Sequence, residues 1–275
     1  MDLGDAGSFT CPYCGGKTFL TDADYRENTV FRKKLLDYYR ARNDEKEFDY
    51  SSDTLWNSVG SYSYEMKNGK PLNIVYMYKK SCSDYTFYLA KESNVYIFNE
   101  ERQAKRFLEG LDRLRFPEAD NKLNRCFPSL KMELELANNM KALVFVRRPG
   151  FYPASMFSPW PSVHLAWVIS RMENICCAFE YSQMGMEDIS EDTIFINPDT
   201  HEGAIWGDWR MISGSTGNCL KKLRRTAVAL AENTREPKEL FEFLNSAPAK
   251  DAFEDFSRWD TVIEKGYGGH KFVQM

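Results

Sequence analysis

Residues 185–210, GMEDISEDTIFINPDTHEGAIWGDWR, place one aspartate before and one after a predicted β-hairpin. Asp188 lies in a short loop, and the apolar residues 194–196 that follow are typical of a strand. A polar turn leads to a second apolar strand at 204–206, after which comes Asp208. Two carboxylates at the ends of a small hairpin are suited to binding a magnesium nucleotide. This stretch therefore predicts either such a site or the scaffold of one.

The composition is that of a globular protein with room for one large domain or two lobes. Of the 275 residues, 43% are hydrophobic and 28% are charged. The net charge of -4 gives no electrostatic reason to expect nucleic acid or an anionic membrane as a partner. No apolar run reaches the roughly 18 residues that a membrane-spanning helix needs. The first ten residues are polar and acidic, unlike a secretory signal, so a cytoplasmic location is expected.

The seven cysteines do not suggest a disulfide framework, because five of them lack any pairing rhythm, and this favours a reducing compartment. The other two, Cys11 and Cys14, are spaced C-x-x-C and precede the glycines at 15–16. That pattern is half of a tetrahedral zinc site. Its other ligands would come from distant residues or from a second chain, which would make a homodimer. The alternative is a hairpin with two free thiols.

The first half of the chain has a helical segment followed by strand-like segments. Residues 30–42 have apolar side chains at helical spacing, and a polar linker follows them. From residue 71 the pattern predicts three strands, a helix and two further strands. The predicted strands are 72–80, 85–90 and 95–99, the helix is 100–115, and the last two strands lie within 126–139 and 140–148.

The second half is predominantly helical. Residues 162–184 have apolar side chains around most of the helix, which predicts the buried central helix of a lobe. Substitution of Glu173 in this helix is expected to be nearly neutral, as for a surface charge. Three more helices are predicted at 219–233, 237–247 and 252–268. The predicted domains are an N-terminal extension at 1–60, a β-rich lobe at 61–150 and a helical lobe at 151–275.

This order of elements resembles that of a protein kinase, and the residues around the hairpin resemble kinase motifs. MEDISEDTIFI is similar to the catalytic loop H-R-D-L-K-P-E-N-I-L-I, with Asp188 on its Asp and Thr193 on its Asn. GDWR is similar to D-F-G, with Asp208 on its Asp. Residues 164–177 and 260–275 also resemble a bacterial and phage branch of kinase-like proteins. The resemblance implies an α+β, two-lobe kinase-like fold with a small β-rich N-lobe and a reduced helical C-lobe, to which this chain adds the N-terminal cysteine knuckle.

Several positions depart from the kinase pattern. The first strand–turn–strand of the β-rich lobe contains no glycine, and a side chain at each turn position hinders the close approach of backbone to phosphate. Phe98 stands where the resemblance places the lysine of V-A-I-K. Glu109 matches the helix glutamate that would pair with that lysine, and Thr193 replaces the metal-binding asparagine. ATP and magnesium are therefore not expected as cofactors.

These features together favour a pseudokinase, which is a kinase-like domain that acts by binding a partner protein. The alternative is an atypical phosphotransferase that uses Asp188 and Asp208 with a relocated lysine, such as Lys91 in a shifted strand register. In the first interpretation the two aspartates are structural remnants. A third interpretation, a zinc-knuckle adaptor on a kinase-like scaffold, shares the inactivity of the first. The aromatic strands and the Cys11/Cys14 knuckle are the expected partner surfaces.

Overall fold

The fold divides by its internal packing into two compact units. The computed structural model describes residues 8–10, 17–19, 22–43, 60–117, 123–233 and 235–270. The β-rich unit comprises Met1–Lys105 and Ser129–Arg147. The helical unit comprises Arg106–Pro128 and Arg148–Met275.

A six-stranded antiparallel sheet forms the centre of the β-rich unit, with strand order β3-β4-β5-β6-β8-β7. Its strands are β3 (Gly60–Glu65), β4 (Pro71–Ser81), β5 (Tyr85–Ala90), β6 (Ser93–Phe98), β7 (Leu130–Glu135) and β8 (Lys141–Val146). A separate antiparallel hairpin pairs β1 (Ser8–Thr10) with β2 (Lys17–Phe19). Helix α1 is Asp22–Asn43, and helix α2, which begins in this unit, is Glu101–Leu111.

The predicted succession of three strands, a helix and two strands is confirmed. Strand β3 was not predicted, because GSYSYE has too few apolar residues to be distinguished from a loop. The strand forms because its full length pairs with β4, from Gly60 opposite Tyr76 to Glu65 opposite Pro71. Pairing with a neighbour, rather than local propensity, therefore makes this strand.

The sheet curls until its two edge strands meet at one corner. The chain just after β3 joins the chain just after β7 through an antiparallel bridge between Met66 and Leu136. Beside this bridge the Lys67 Nζ lies 2.8 Å from a Glu135 carboxylate oxygen. One face of the curled sheet encloses an apolar core. That core includes Ile74, Tyr76, Tyr88, Val95, Ile97, Leu136, Ala142 and Val144.

Helix α1 packs on β4 beyond the described pairing with β3. Among the described residues, that pairing runs from Pro71 to Tyr76, and Asn28 of α1 binds β4 three residues further along. The Asn28 side-chain amide donates to the Lys79 carbonyl at 2.7 Å, and its oxygen accepts from the Lys79 N–H at 3.0 Å. One side chain thus substitutes for a neighbouring strand. The helix itself is longer than the predicted segment 30–42.

Four α-helices and five short strands lie wholly within the helical unit among the described residues. The helices are α3 (Ser162–Tyr181), α4 (Gly217–Leu230), α5 (Lys238–Asn245) and α6 (Ala252–Tyr267). The strands are β9 (Tyr152–Pro153), β10 (Gly185–Met186), β11 (Ile194–Asn197), β12 (Glu202–Ile205) and β13 (Ile212–Ser213). In the part of the chain that the structure describes, no helix is both long and apolar enough to cross a membrane.

Helix α3 is buried on most of its circumference, as its apolar pattern predicts. It packs against α4 and α6 and against strand β12. Leu165 and Ile169 are 0% and 1% exposed. Glu173 is also 0% exposed, so the expectation of a surface charge at this position is wrong.

Candidate functional site

The hairpin of β11 and β12 holds the two candidate aspartates at its open end. The strands pair antiparallel from Ile194 opposite Ile205 to Asn197 opposite Glu202, which confirms the predicted hairpin. The side-chain oxygen of Asn197 stabilises the turn by accepting hydrogen bonds from the backbone N–H groups of Asp199 and Thr200. Because antiparallel strands begin and end side by side, the segments before β11 and after β12 are neighbours.

Asp188 and Asp208 meet directly at this end of the hairpin. The backbone N–H of Asp208 donates to Oδ2 of Asp188 at 2.8 Å. A Cβ at Gly207 would lie 2.5 Å from the Asp188 carbonyl oxygen, so only glycine permits this approach. The structure therefore brings together the two aspartates that the sequence singled out. Asp208 is buried and Asp188 is partly exposed.

Arg210 engages both oxygens of the Asp208 carboxylate. Its Nε lies 2.9 Å from Oδ1 and its Nη2 lies 2.7 Å from Oδ2. The backbone N–H of Arg210 donates a further hydrogen bond to Oδ1 at 3.0 Å. The two side chains are only 12% and 6% exposed, so water screens this bidentate pair weakly. Sequence reasoning missed this arginine, although it stands on the glycine of D-F-G.

Thr193 braces the loop that carries Asp188. Its hydroxyl accepts a hydrogen bond from the Ser190 N–H at 2.8 Å and lies 3.1 Å from the Asp188 carbonyl oxygen. The residue is 1% exposed. The hydroxyl is thus occupied by backbone groups of its own loop, as in other Ser/Thr turn motifs.

Trp209 is fixed by aromatic rings on one side and by helix α2 on the other. Its fully buried ring makes edge contacts with Phe127 and Phe179, with ring centroids 6.0 Å apart in both pairs. A Cβ at Gly110 would lie 1.8 Å from the Trp209 carbonyl oxygen. The last turn of α2 therefore packs its bare backbone against the Asp208-Trp209-Arg210 turn.

Glu109 and Lys91 are both exposed. Glu109 precedes Gly110 in the last turn of α2. Lys91 lies in the turn between β5 and β6, and its carbonyl oxygen accepts a hydrogen bond from Arg147 at 3.0 Å. Strand β5 ends at Ala90 and β6 begins at Ser93, so residue 91 is part of a turn and not of a strand.

Phe98 belongs to an aromatic cluster on one face of the sheet. It is fully buried and lies 6.1 Å from the nearly parallel ring of Tyr96. On the neighbouring strand, Tyr85 lies opposite Phe98 and Phe87 lies opposite Tyr96. Phe145 on β8 adds an edge contact to Tyr96 at 5.7 Å. Aromatic rings thus occupy the position that the kinase resemblance assigns to a lysine.

Cys11 and Cys14 lie outside the described residues, so the zinc half-site stays a prediction. Within the described ranges, no group of three or more histidine, cysteine or acidic side chains is arranged to hold a metal ion. The candidate site is therefore the Asp188, Asp208 and Arg210 cluster of the helical unit.

Comparison with known proteins identifies the fold. No protein-family model and no curated protein sequence matches the chain. Among solved structures, the Toxoplasma gondii rhoptry antigen kinase domain matches with a TM-score of 0.53 at 10% identity, over 88% of this chain and 98% of that one. WbdD, described as a bifunctional kinase-methyltransferase, matches with a TM-score of 0.50 at 11% identity, over 73% of this chain.

The match spans 47% of the WbdD chain, so this protein corresponds to about half of that one. Identities near 10% show the fold alone. The chain has a β-sheet lobe and a helical lobe, and the kinase domain matches over 88% of it. The chain therefore has a two-lobe, protein kinase-like fold.

Proposed function

We propose that this protein is a pseudokinase, a kinase-like domain that acts by binding another protein and does not transfer phosphate. The observation that carries the proposal is the bidentate pairing of Arg210 with Asp208. In the kinase resemblance Asp208 is the aspartate that would hold magnesium. Here both of its oxygens are already bound by a guanidinium group.

The charge balance of the site supports this proposal. Phosphoryl transfer depends on metal ions and cations that neutralise the phosphates. Magnesium binds proteins through one or two carboxylates and loses its waters reluctantly. To bind Asp208 it would have to displace Arg210 from a weakly screened ion pair. One carboxylate oxygen of Asp188 is also engaged, because it accepts a hydrogen bond from the Asp208 backbone N–H.

The β-rich unit supports the proposal independently. A kinase needs a lysine on the third strand of its meander, and this strand carries Tyr96 and Phe98 on the relevant face. Both residues are 0% exposed and pack against aromatic neighbours, so neither offers a cation to a phosphate. Lys91, the strongest replacement in the sequence, lies in the preceding turn.

The remaining parts of the proposal concern partners and location. We propose a protein partner, with the N-terminal knuckle and the exposed side chains of the aromatic-rich sheet, such as Tyr62, as its contact surfaces. Zinc at Cys11 and Cys14 would support that role and would allow a homodimer through a shared site. A cytoplasmic location fits the scattered cysteines, since thiols stay reduced there.

Thermal unfolding with nucleotide tests the proposal. The wild type and the Asp208→Asn variant would be melted with ATP alone, with ATP and magnesium, and with ATP and manganese. We expect no metal-dependent stabilisation of the wild type. A ligand at a hundredfold excess over its dissociation constant stabilises by about 2.7 kcal/mol. A shift of that size with magnesium-ATP, lost in Asp208→Asn, would contradict the proposal and favour the atypical phosphotransferase.

A further inference from the structure

Three charged side chains lie together in the interior of the helical unit. Glu173 is on α3, Arg224 on α4 and Asp255 on α6. They are 0%, 4% and 0% exposed. Charged groups are rarely buried to this extent unless each is compensated. The cluster lies apart in sequence from the Asp188 and Asp208 site, and the kinase resemblance does not account for it.

Arg224 and Asp255 neutralise each other's charge in a buried ion pair. Nη2 of Arg224 lies 2.6 Å and 2.8 Å from the two carboxylate oxygens of Asp255. The Ala249 N–H also donates to Asp255 at 2.7 Å. The other terminal nitrogen of Arg224 donates to the Ser246 carbonyl and hydroxyl oxygens at 3.0 Å and 2.8 Å. The guanidinium carbon lies 4.1 Å from the centre of the Phe243 ring.

Glu173 has no such compensation. Within the described residues, neither of its carboxylate oxygens has a hydrogen-bond partner. An ionised carboxylate in this position would be unsolvated and would face the negative charge of Asp255. Burial and, secondarily, Asp255 raise the pKa of Glu173 to about 8, while Arg224 opposes the shift.

We propose that Glu173 is a proton switch, neutral in the packed helical unit, whose ionisation loosens the packing of α3 against α4 and α6. The neutral acid leaves the Arg224–Asp255 pair balanced. Loss of its proton adds a second negative charge beside that of Asp255. The one positive charge of the cluster, on Arg224, is already paired with Asp255. The stability of this unit then depends on proton concentration through one side chain.

The other titratable groups near Glu173 do not duplicate this effect. Of the charged groups on the elements packed against α3, Arg224 on α4 and Asp255 on α6 act on Glu173, and among the described residues none on β12 does. On its own helix, Cys176 and Cys177 follow it. Burial raises the pKa of the Cys177 thiol to about 12 and that of Cys176 well above its usual range. Both thiols therefore stay protonated while Glu173 ionises.

The direction of the pH dependence follows from the raised pKa. Below about pH 4.5 both the folded and the unfolded chain hold the proton, and Glu173 has no effect on the pH dependence. Between that value and about pH 8 only the folded chain holds it, so stability falls as pH rises. Above about pH 8 the carboxylate is ionised in both states and the fall ends.

Thermal unfolding of the full chain and of Glu173→Gln from pH 5 to pH 9 tests this proposal. Glutamine has nearly the same shape and cannot ionise. We expect the difference in melting temperature, variant minus wild type, to grow by about 5–10 °C as the pH rises from 5 to 8. Above pH 8 this difference should stay constant. The matched control is Glu242→Gln, an exposed glutamate of α5, which should follow the wild type at every pH.

Infrared spectroscopy tests the same proposal without relying on the stability of a variant. The wild type near neutral pH should show the carbonyl band of a buried neutral carboxylic acid, and the band should disappear with a midpoint near pH 8. Melting curves of wild type and Glu173→Gln that stay parallel over the whole range would overturn the proposal. So would the absence of the neutral-acid band at pH 6.

Discussion

Replacing Arg210 with methionine should destabilise the helical unit and give Asp208 a new affinity for magnesium. Methionine keeps much of the aliphatic volume of arginine and removes its charge. The Asp208 carboxylate, only 6% exposed, would lose every hydrogen bond from the Arg210 side chain and keep the one from the backbone N–H of residue 210. It would then lie uncompensated beside Asp188.

The burial of the Arg210–Asp208 pair sets the expected loss in the free energy of unfolding. Removing one partner of a buried ion pair costs about 3–5 kcal/mol. Arg210 is 12% exposed and the backbone hydrogen bond survives, so we expect a cost at or just below the bottom of that range, about 2–3 kcal/mol. For a chain of this size that corresponds to a fall in melting temperature of about 5–10 °C.

A double-mutant cycle separates the pair from the effects of the single substitutions. Asp208→Asn alone should cost less, about 1 kcal/mol, because the arginine side chain can reach water. In the double variant no buried charge is left unpaired, so the two costs should not add, and the coupling should be about 2 kcal/mol. Arg210→Lys keeps the positive charge but lacks the planar guanidinium group that binds both carboxylate oxygens. Its stability should lie between those of the wild type and Arg210→Met.

The assay is thermal unfolding of the four proteins of the cycle, and of Arg210→Lys, with and without magnesium chloride. Magnesium should raise the melting temperature of Arg210→Met and should have no such effect on the wild type or on the double variant. If Arg210→Met melted within about 1 °C of the wild type, the ion pair would not stabilise the fold. If magnesium raised the melting temperatures of Arg210→Met and of the wild type equally, Arg210 would not be the group that keeps magnesium from Asp208.

Two further predictions concern other parts of the chain. Gly110→Ala should destabilise the protein by about 1–3 kcal/mol in chemical denaturation, although alanine is the better helix former, because the new Cβ would overlap the Trp209 carbonyl; a neutral or stabilising result would contradict the close packing of α2 on that turn. For Cys11 and Cys14, elemental analysis and solution mass with and without a chelator should show either no zinc and two alkylatable thiols, or half-stoichiometric zinc in a dimer that the chelator splits. Stoichiometric zinc in a monomer would contradict both outcomes.

The elements predicted best from the sequence are those whose signal is local. The hairpin of β11 and β12 and the central helix α3 are confirmed, because strand length, turn residues and apolar periodicity are written in consecutive residues. The kinase-like order of elements, and with it the fold, follows from the same local signals. Strand β3 escaped prediction because its pairing with β4 and the curl of the sheet stabilise it, and its own residues do not.

The chemistry of the candidate site depended on tertiary structure to a greater degree. The sequence by itself determined that Asp188 and Asp208 flank one hairpin and that Phe98 stands where the kinase resemblance places a lysine. Only the folded turn, with Gly207 allowing close approach, decided that Arg210 binds Asp208. Likewise Glu173 reads as a surface charge along the chain, and only the packing of α4 and α6 around α3 buries it beside Asp255. Periodicity within a segment is encoded by its own residues, whereas burial and charge pairing depend on which distant segments the fold brings to that place.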